Sequence, residues 1–238
     1  MYNEKSRRPK GMKAVAVIND YLKRSTYTPY SNLSLIDIGC STGYMTKIYG
    51  ENFETVIGTD IDVSAVSYAK KHNSKDNITY QIADSMNLPF QDNCFDVATC
   101  LHIYEHVPDS EKMISEIYRV LKPNGFCLFL AGNRFVLIEP HYRLPLLSAI
   151  PKPLAHHYLR VTKKGEFYYE NLLSYWKLKK LVNKFEVIDY TLEVIKEPGK
   201  FHATEMIAPN SRHQKIYIIL LRLIYWISPT YIWILAKK

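Results

Sequence analysis

The chain has few cysteines, and their spacing suggests neither a zinc site nor a disulfide framework. Its 238 residues include only four, Cys40, Cys94, Cys100 and Cys127, and no two of them form a Cys-x-x-Cys pair. Each lies in or beside an apolar segment, which is typical of buried thiols in a reducing compartment. No apolar run follows the charged residues 1–13, so we expect no secretory signal and a cytoplasmic protein.

Repeats and low-complexity tracts are also absent, and polar residues do not dominate. The sequence is 47% hydrophobic and 23% charged, which is ordinary for a folded protein and excludes wholesale disorder. A chain of this length can bury one sizeable core. We therefore expect one large domain, with room for an insertion.

Acidic residues are scarce in the second half. From residue 134 onward there are 17 Lys and Arg against 8 Asp and Glu, whereas residues 1–133 hold 14 against 15. The net charge of +8 thus belongs to the second half. Such a field attracts nucleic acid, anionic lipid or a phosphorylated substrate, and charge alone does not choose among them.

Short apolar segments alternate with helical segments in the first half. Strands are predicted at 33–39, 55–60, 77–84, 95–101 and 125–132, and helices at 14–24, 62–73 and 109–122, with a break at 27–32. Strands separated by helices of this length predict a parallel sheet with right-handed crossovers.

The pattern changes after this region. Residues 133–166 are rich in proline, aromatic and basic residues without a clear period, and we interpret them as an inserted lid. An amphipathic helix is then predicted at 168–184 and a strand at 185–195. The predicted organisation is an N-terminal helical segment (1–32), a core (33–132), the lid (133–166) and a C-terminal completion of the sheet (167–238).

The most apolar segment lies near the C-terminus. Residues 216–235 are just long enough to span a bilayer, but Ser228-Pro229 interrupts them. We therefore predict a helix at 216–227, within an apolar segment at 212–228, and a final strand at 230–236. The helix has three interpretations: burial in the protein, docking on a membrane surface with Arg212, Lys215 and Arg222 near headgroups, or spanning.

A carboxylate and two glycines meet at one predicted corner. In "LIDIGCSTGYM", residues 35–45, Asp37 ends a strand and a turn runs from Gly39 to Gly43. The loop after the first strand of a parallel sheet commonly forms one wall of a ligand site, and glycine lets the backbone approach the ligand closely.

The phosphate motifs that use such turns are not satisfied. A dinucleotide fingerprint needs glycine at the positions of Ser41 and Tyr44, and a P-loop needs lysine where Tyr44 stands. Asp37 would also repel a pyrophosphate. The corner therefore predicts a ligand with a positive group and no phosphate there.

Four motifs in order resemble the class I S-adenosylmethionine-dependent methyltransferases. "LIDIGCSTGY" is similar to their motif I, with Ser41 in place of the middle glycine, and "VIGTDID" places Asp60 at the ribose-binding acid, 21 residues after Gly39. "IADSMNLPFQDNCFDVATCLHIYEHVPD" places Asp84 at the adenine edge, and "VLKPNGFCLFL" is similar to the turn into strand five. The resemblance covers residues 33–132.

This resemblance implies an α/β fold: a Rossmann-like, seven-stranded, mostly parallel sheet with helices on both faces and an inserted lid. It also implies a methyltransferase that uses S-adenosyl-L-methionine. The residues that it assigns to the cofactor are Asp37, Gly39, Cys40, Ser41, Gly43, Asp60, Ile61, Asp84, Ser85, Met86 and Leu101.

Histidines near the predicted acceptor side are candidate general bases. His102 and His106 are four residues apart, a metal spacing only if they lie on a helix, and we expect a loop there and no metal. His106 follows strand four, and His141 lies in the lid beside Glu139 and Tyr142. A hydroxyl acceptor needs its proton removed, and histidine suits that task near neutral pH.

The acceptor has to be inferred from the second half of the chain. Its lid and tail look like those of methyltransferases associated with bacterial surface-glycan assembly, which predicts O-methylation of a lipid-linked glycan or another amphipathic envelope compound. A small aromatic or quinone-like acceptor and a non-catalytic cofactor-binding subunit are the alternatives. The motifs of DNA methyltransferases after strand four are missing, so no nucleic-acid partner is expected. Peripheral attachment at the inner face of the membrane, through 212–228, remains open, as does the oligomeric state.

Overall fold

The computed structural model describes residues 4–25 and 32–238, so the predicted break at 27–32 lies, apart from Asn32, outside the described residues. The strands are β1 Ser34–Ile38, β2 Thr55–Asp60, β3 Ile78–Ile82, β4 Phe95–Leu101, β5 Leu121–Gly132, β6 Glu186–Asp189 and β7 Thr230–Ala236. The helices are α1 Glu4–Arg24, α2 Tyr44–Tyr49, α3 Val63–His72, α4 Ser110–Val120, α5 Lys152–Val161, α6 Tyr175–Leu181, α7 Thr191–Lys196 and α8 Arg212–Leu223.

The seven strands form one sheet in the order β3-β2-β1-β4-β5-β7-β6. Strands β1 to β5 pair in parallel, whereas β7 runs antiparallel to both of its neighbours, β5 and β6. The predicted seven-stranded, mostly parallel sheet is confirmed. The strand order reverses between β1 and β4, and ligands of open α/β sheets bind at the carboxyl ends of the strands at such a point.

Helices cover both faces of the sheet because successive strand residues point to opposite sides. In β1, Leu35 packs in one buried cluster, and Ile36 and Ile38 pack in the other. Helices α1, α3 and α7 contribute to the first cluster, and α4 and α6 to the second. The sequence segments that alternate with the strands are therefore the two outer layers.

Two predicted elements that precede helix α8 are wrong in extent. The helix expected at 168–184 covers only Tyr175–Leu181, and the strand expected at 185–195 ends at Asp189. Asp189 accepts a hydrogen bond from the backbone N–H of Thr191, and helix α7 starts there. Thr191, Val194 and Ile195 are its buried residues, so the apolar pattern that resembled a strand also satisfies the spacing of one helix face.

The lid contains a helix that its irregular sequence did not reveal. Helix α5 starts after Pro151, with a proline in its first turn, and buries Ala155 and Leu159 on one side. These two side chains join Leu144, Leu147 and Tyr168 in a small core that is separate from the two cores of the sheet. The lid is therefore a packed unit.

Asn133 fixes the lid to the sheet at its first residue. Its side chain is fully buried, and its amide nitrogen lies 2.8 Å from the carbonyl oxygen of Trp226 and 2.9 Å from that of Ser228. Its backbone N–H donates to the carbonyl of Pro229. The start of the lid is thus attached to the turn that precedes β7.

The apolar C-terminal segment is divided at Ser228-Pro229, as expected. Helix α8 begins at Arg212 and ends at Leu223, a 3-10 helix follows at Tyr225–Ile227, and β7 begins at Thr230. The predicted helix at 216–227 begins too late, because Ser211 caps the start of α8 by accepting the backbone N–H of Gln214, and it ends too late, because its last residues form the 3-10 helix.

Burial of helix α8 in the protein is a wrong expectation. Only Gln214 and Leu221 are buried, while Ile216, Ile219 and Leu223 are 56%, 55% and 74% exposed. The interpretation of α8 as a membrane-spanning helix is wrong as well, since no helix in the described part of the chain is both long and apolar enough to cross a membrane. The apolar residues of α8 thus form an exposed surface.

Candidate active site

The turn after β1 needs a backbone conformation that few side chains allow. Gly39 and Gly43 have φ of 75° and 76°, and Ser41 between them has φ of 49°. An added Cβ would strike the side chain of Ile103 at Gly39 and that of Tyr80 at Gly43. The absence of side chains at Gly39 and Gly43 therefore makes room for Ile103 and Tyr80 to pack against the turn.

Asp37 joins three elements from beneath this turn. It is 4% exposed; its Oδ1 accepts from the Thr99 hydroxyl on β4 at 2.7 Å, and its Oδ2 from the Thr46 hydroxyl on α2 at 2.6 Å. Burial raises the pKa of Asp37 to about 6, although both threonine hydrogen bonds oppose the shift. Direct contact of this carboxylate with a ligand remains a prediction.

Asp60 stands at the end of β2 and holds the strained turn. Its Oδ2 accepts the backbone N–H of Ser41 at 2.7 Å, and its Oδ1 accepts that of Asp62 at 3.0 Å. A carboxylate oxygen can accept two hydrogen bonds, so each oxygen of Asp60 retains an acceptor position. Two adjacent hydroxyls, such as those of a ribose, are suitable donors to them.

The end of β3 adds a third carboxylate and an apolar wall. Asp84 accepts the backbone N–H of Met86 at 2.8 Å and so forms a tight turn. Ile61 and Ile82, next to the ends of β2 and β3, are 70% and 48% exposed. Exposed apolar side chains of this kind can pack against a flat apolar ligand. Ile82 is missing from the residues predicted from sequence, although its position two residues before Asp84 could have revealed it.

Most of the predicted cofactor residues are therefore at the carboxyl ends of neighbouring strands. β3, β2, β1 and β4 are adjacent in the sheet and end at Ile82, Asp60, Ile38 and Leu101. Cys40 is buried, whereas Ser85, Met86 and Leu101 are half-buried. The structure thus brings the motif residues to one edge of the sheet, and their contact with a cofactor remains a prediction.

The loop after β4 connects this corner to a cluster of histidines and carboxylates. Ile103, whose side chain covers Gly39, accepts the backbone N–H of His106 at 3.0 Å. The His106 ring meets the His141 ring edge-on, with 5.1 Å between the centroids. The two candidate bases, 35 residues apart in the sequence, are therefore neighbours.

Glu139 fixes the orientation of His141. Its carboxylate is fully buried, with Oε1 2.7 Å from Nδ1 of His141, and Oε2 accepts the backbone N–H groups of His141 and Tyr142. This hydrogen bond to Glu139 raises the pKa of His141 against the effect of burial. Burial alone would raise the pKa of Glu139, but the bonds from His141 and Tyr142 hold it below its ordinary value.

Two further buried carboxylates belong to this region and escaped the sequence analysis. Glu105 is 1% exposed, with Oε1 3.2 Å from Nδ1 of His102, and Glu170 is 8% exposed. One oxygen of each has no hydrogen-bond partner among the residues that the structure describes. Glu105 could have been suspected from its place between His102 and His106, whereas Glu170 was assigned to a predicted helix.

A small cavity adjoins Glu170 under the lid. Its volume is about 170 Å³, and Arg134, Lys152, Tyr168 and Leu172 are among its lining residues. Lys152 donates hydrogen bonds to the carbonyl oxygens of Tyr168 and Glu170. The cavity is therefore partly basic and partly apolar.

Comparison with known proteins agrees with this arrangement. Residues 36–129 match the family described as a methyltransferase domain. This part of the chain is therefore similar to that family. The domain includes the glycine turn, Asp60, Asp84 and the loop that carries His106, and the lid lies beyond it.

Two curated relatives of low sequence identity are both named as ubiquinone biosynthesis O-methyltransferases. A ubiquinone biosynthesis O-methyltransferase of Coxiella burnetii is 33% identical over 140 residues, which cover 56% of this chain and 58% of that protein. One from Pelagibacter ubique is 27% identical over 201 residues, or 80% of this chain and 81% of that protein. The chain thus spans little more than half the length of the first relative.

Solved structures show the same fold. An S-adenosylmethionine-dependent methyltransferase from Mesorhizobium loti superposes with a TM-score of 0.58 over 90% of this chain and 95% of that one, at 14% identity. At such low identity the likeness shows the fold alone. It confirms the predicted Rossmann-like sheet of the class I methyltransferases.

The buried carboxyl of Asp37 predicts a pH-dependent stability. Its pKa lies above its ordinary 3.8, at about 6, so folding favours the protonated form. This contribution is complete below the ordinary pKa and is lost as the pH rises through the folded pKa, a change of about 3 kcal/mol. Asp37→Asn removes it, so the free energy of unfolding of the variant, relative to the wild type, should rise by about 2 kcal/mol between pH 4 and pH 7, since part of the change lies below pH 4.

Urea unfolding at several pH values measures this difference. A constant offset between the two proteins reflects the altered threonine contacts and is not part of the prediction. Profiles that run parallel from pH 4 to pH 7 would show that Asp37 ionises without a burial penalty.

Proposed function

We propose that this chain transfers a methyl group from S-adenosylmethionine to a hydroxyl of a small aromatic, quinol-like acceptor. The family match of residues 36–129 supports methyl transfer. The observation that carries the proposal further is the cluster of His106, His141 and Glu170, which the β4 loop connects to the glycine corner. The cofactor and the acceptor would meet between these two places.

The glycine corner has the groups that S-adenosylmethionine requires. Asp60, which holds the turn from Gly39 to Gly43, retains acceptor positions for ribose hydroxyls. Ile61 and Ile82 offer apolar contacts for adenine next to Asp84. The carboxylates favour the positive sulfonium ligand over a pyrophosphate.

When bound, S-adenosylmethionine supplies a methyl group that the positive charge on sulfur has already activated. The residues of this chain then have to align the acceptor and exclude water. A hydroxyl acceptor also loses a proton, and His106, His141 and the carboxylate of Glu170 are the groups in position to receive or direct it. The exposed lid side chains Phe135 and Leu137 offer apolar contact for the rest of the acceptor.

A quinol-like acceptor is favoured over the lipid-linked glycan that the second half of the chain suggested. Both reported relatives are named for ubiquinone biosynthesis, and neither for surface-glycan assembly. The 170 Å³ beside Glu170 is also large enough for one aromatic ring, since a cavity of about 150 Å³ holds benzene.

Transfer of labelled methyl tests this proposal. We expect label from S-adenosylmethionine to enter a prenylated dihydroxybenzene, and His106→Ala and His141→Ala to lower kcat by about 10²- to 10⁴-fold. His157→Ala is the matched control, because His157 is exposed on α5 and lies outside the cluster.

Label in a lipid-linked glycan fraction alone would refute the quinol-like acceptor. Binding of the cofactor without transfer to any fraction of a cell extract would refute catalysis and indicate a cofactor-binding subunit. Full turnover in both histidine variants would exclude a role of either residue in deprotonation.

We also propose that the exposed face of α8 contacts an anionic membrane surface, where an acceptor with a prenyl tail would reside. Ile216, Ile219 and Leu223 are exposed, and Arg212 and Arg222 lie on the same helix. Apolar side chains next to basic ones favour the interface of anionic lipids.

Liposome flotation measures this contact. Ile219→Glu combined with Leu223→Glu should reduce the fraction bound to phosphatidylglycerol vesicles at least about tenfold, since each buried Leu or Ile contributes about 1.5–3 kcal/mol. Ser74→Glu adds charge beyond α3, at the opposite edge of the sheet, and should bind as the wild type does. Equal flotation of all three proteins, or none with the wild type, would eliminate the membrane contact.

A further inference from the structure

Three side chains from separate parts of the chain converge with the donor set of a metal site. His106 comes from the loop after β4, His141 from the lid and Glu170 from the segment before α6. One ligand atom from each lies within 4.8 Å of the others. Two imidazoles and a carboxylate are typical of catalytic zinc and other transition-metal sites.

The hydrogen bonds of His141 already prepare it as a ligand. Its Nδ1 lies 2.7 Å from the Glu139 carboxylate, which is fully buried and held by two backbone N–H groups. Donation from Nδ1 leaves the lone pair of Nε2 free. Metal-binding histidines almost always have such a carboxylate or carbonyl partner on the other ring nitrogen.

Glu170 has a buried carboxylate oxygen without a hydrogen-bond partner. The residue is 8% exposed, and its Oε2 has no hydrogen-bond partner in the described part of the chain. Lys152, which is nearby, donates to the backbone carbonyls of Tyr168 and Glu170. A buried carboxylate oxygen in this state costs free energy unless a cation or a donor satisfies it.

We propose that His106, His141 and Glu170 bind a divalent transition-metal cation, with zinc as the best fit, and that Glu139 positions His141 for it. Tetrahedral ligands about 2 Å from zinc lie about 3.3 Å apart, so the donor atoms have to close by at most about 1.5 Å. His106 is exposed and can rotate, whereas the hydrogen bond to Glu139 holds His141 and burial fixes Glu170. Three protein ligands leave the fourth position open.

This site revises the sequence-based expectation of no metal. That expectation considered His102 and His106, whereas the structure pairs Nδ1 of His102 with Glu105 and directs His106 to His141. The catalytic consequence rests on the proposed function. If the cation is bound, the two histidines are ligands and no longer bases, so an acceptor hydroxyl that completes the coordination would become a stronger acid and lose its proton to water.

Zinc binding to the full chain tests the site without cofactor or acceptor. After treatment with a chelator, calorimetric titration with Zn²⁺ should show one site with Kd of about 1 µM or below, and Mg²⁺ should not compete, because histidine ligands select transition metals. His106→Ala, His141→Ala and the isosteric Glu170→Gln should each weaken binding at least about 100-fold. Glu139→Gln should weaken it about 10- to 100-fold.

His157→Ala is the control for zinc bound by a surface histidine and should bind as the wild type does. Thermal unfolding of each variant establishes that it is folded. No saturable zinc binding in the wild type, or binding that survives both His106→Ala and His141→Ala, would overturn the proposal. Zinc binding with these losses, but without methyl transfer to any acceptor, would support the site and contradict only the proposed function.

Discussion

The strained turn between β1 and α2 determines where the other parts of the site lie. Three of its residues have positive φ, and the hydrogen bond from the Ser41 amide to Asp60 ties the turn to the end of β2. Ile103 from the β4 loop closes over Gly39, and Tyr80 from β3 lies against Gly43. Four strand ends are thus fixed relative to one short backbone segment. A ligand that fits this turn reaches the carboxylates of β2 and β3 on one side and the β4 loop on the other.

The second half of the site depends on a contact between the lid and that same loop. The lid has its own small core, and Asn133 attaches its first residue to the turn before β7. Glu139 then orients His141 toward His106. Because the lid carries its polar groups on a packed unit, the cluster is built before any acceptor arrives, as positioning of reacting groups requires.

The sequence predicted the features that depend on residues close together in the chain. The five parallel strands follow from apolar runs in the sequence, and Asp37, Asp60 and Asp84 lie within two residues of the ends of β1, β2 and β3. The cluster was only half predictable, since His106 and His141 meet through tertiary packing and Glu170 was hidden in an amphipathic pattern. The end of strand β6 was predicted wrongly because the apolar spacing of residues 190–195 fits both a strand and one face of a helix. The exposure of α8 could not be predicted from the sequence either, because its apolar residues do not show whether they contact the rest of the protein or an external surface.

We propose that the turn and Asp60 bind S-adenosylmethionine through carboxylates rather than through amides that hold a phosphate. Isothermal calorimetry measures this binding. We predict one saturable site in the wild type, about 10- to 100-fold weaker binding in Asp60→Ala through the loss of charged hydrogen bonds, and unchanged binding in Asp76→Ala, an exposed carboxylate in the loop before β3. Saturation by a nicotinamide dinucleotide, with no heat from S-adenosylmethionine, would contradict the account.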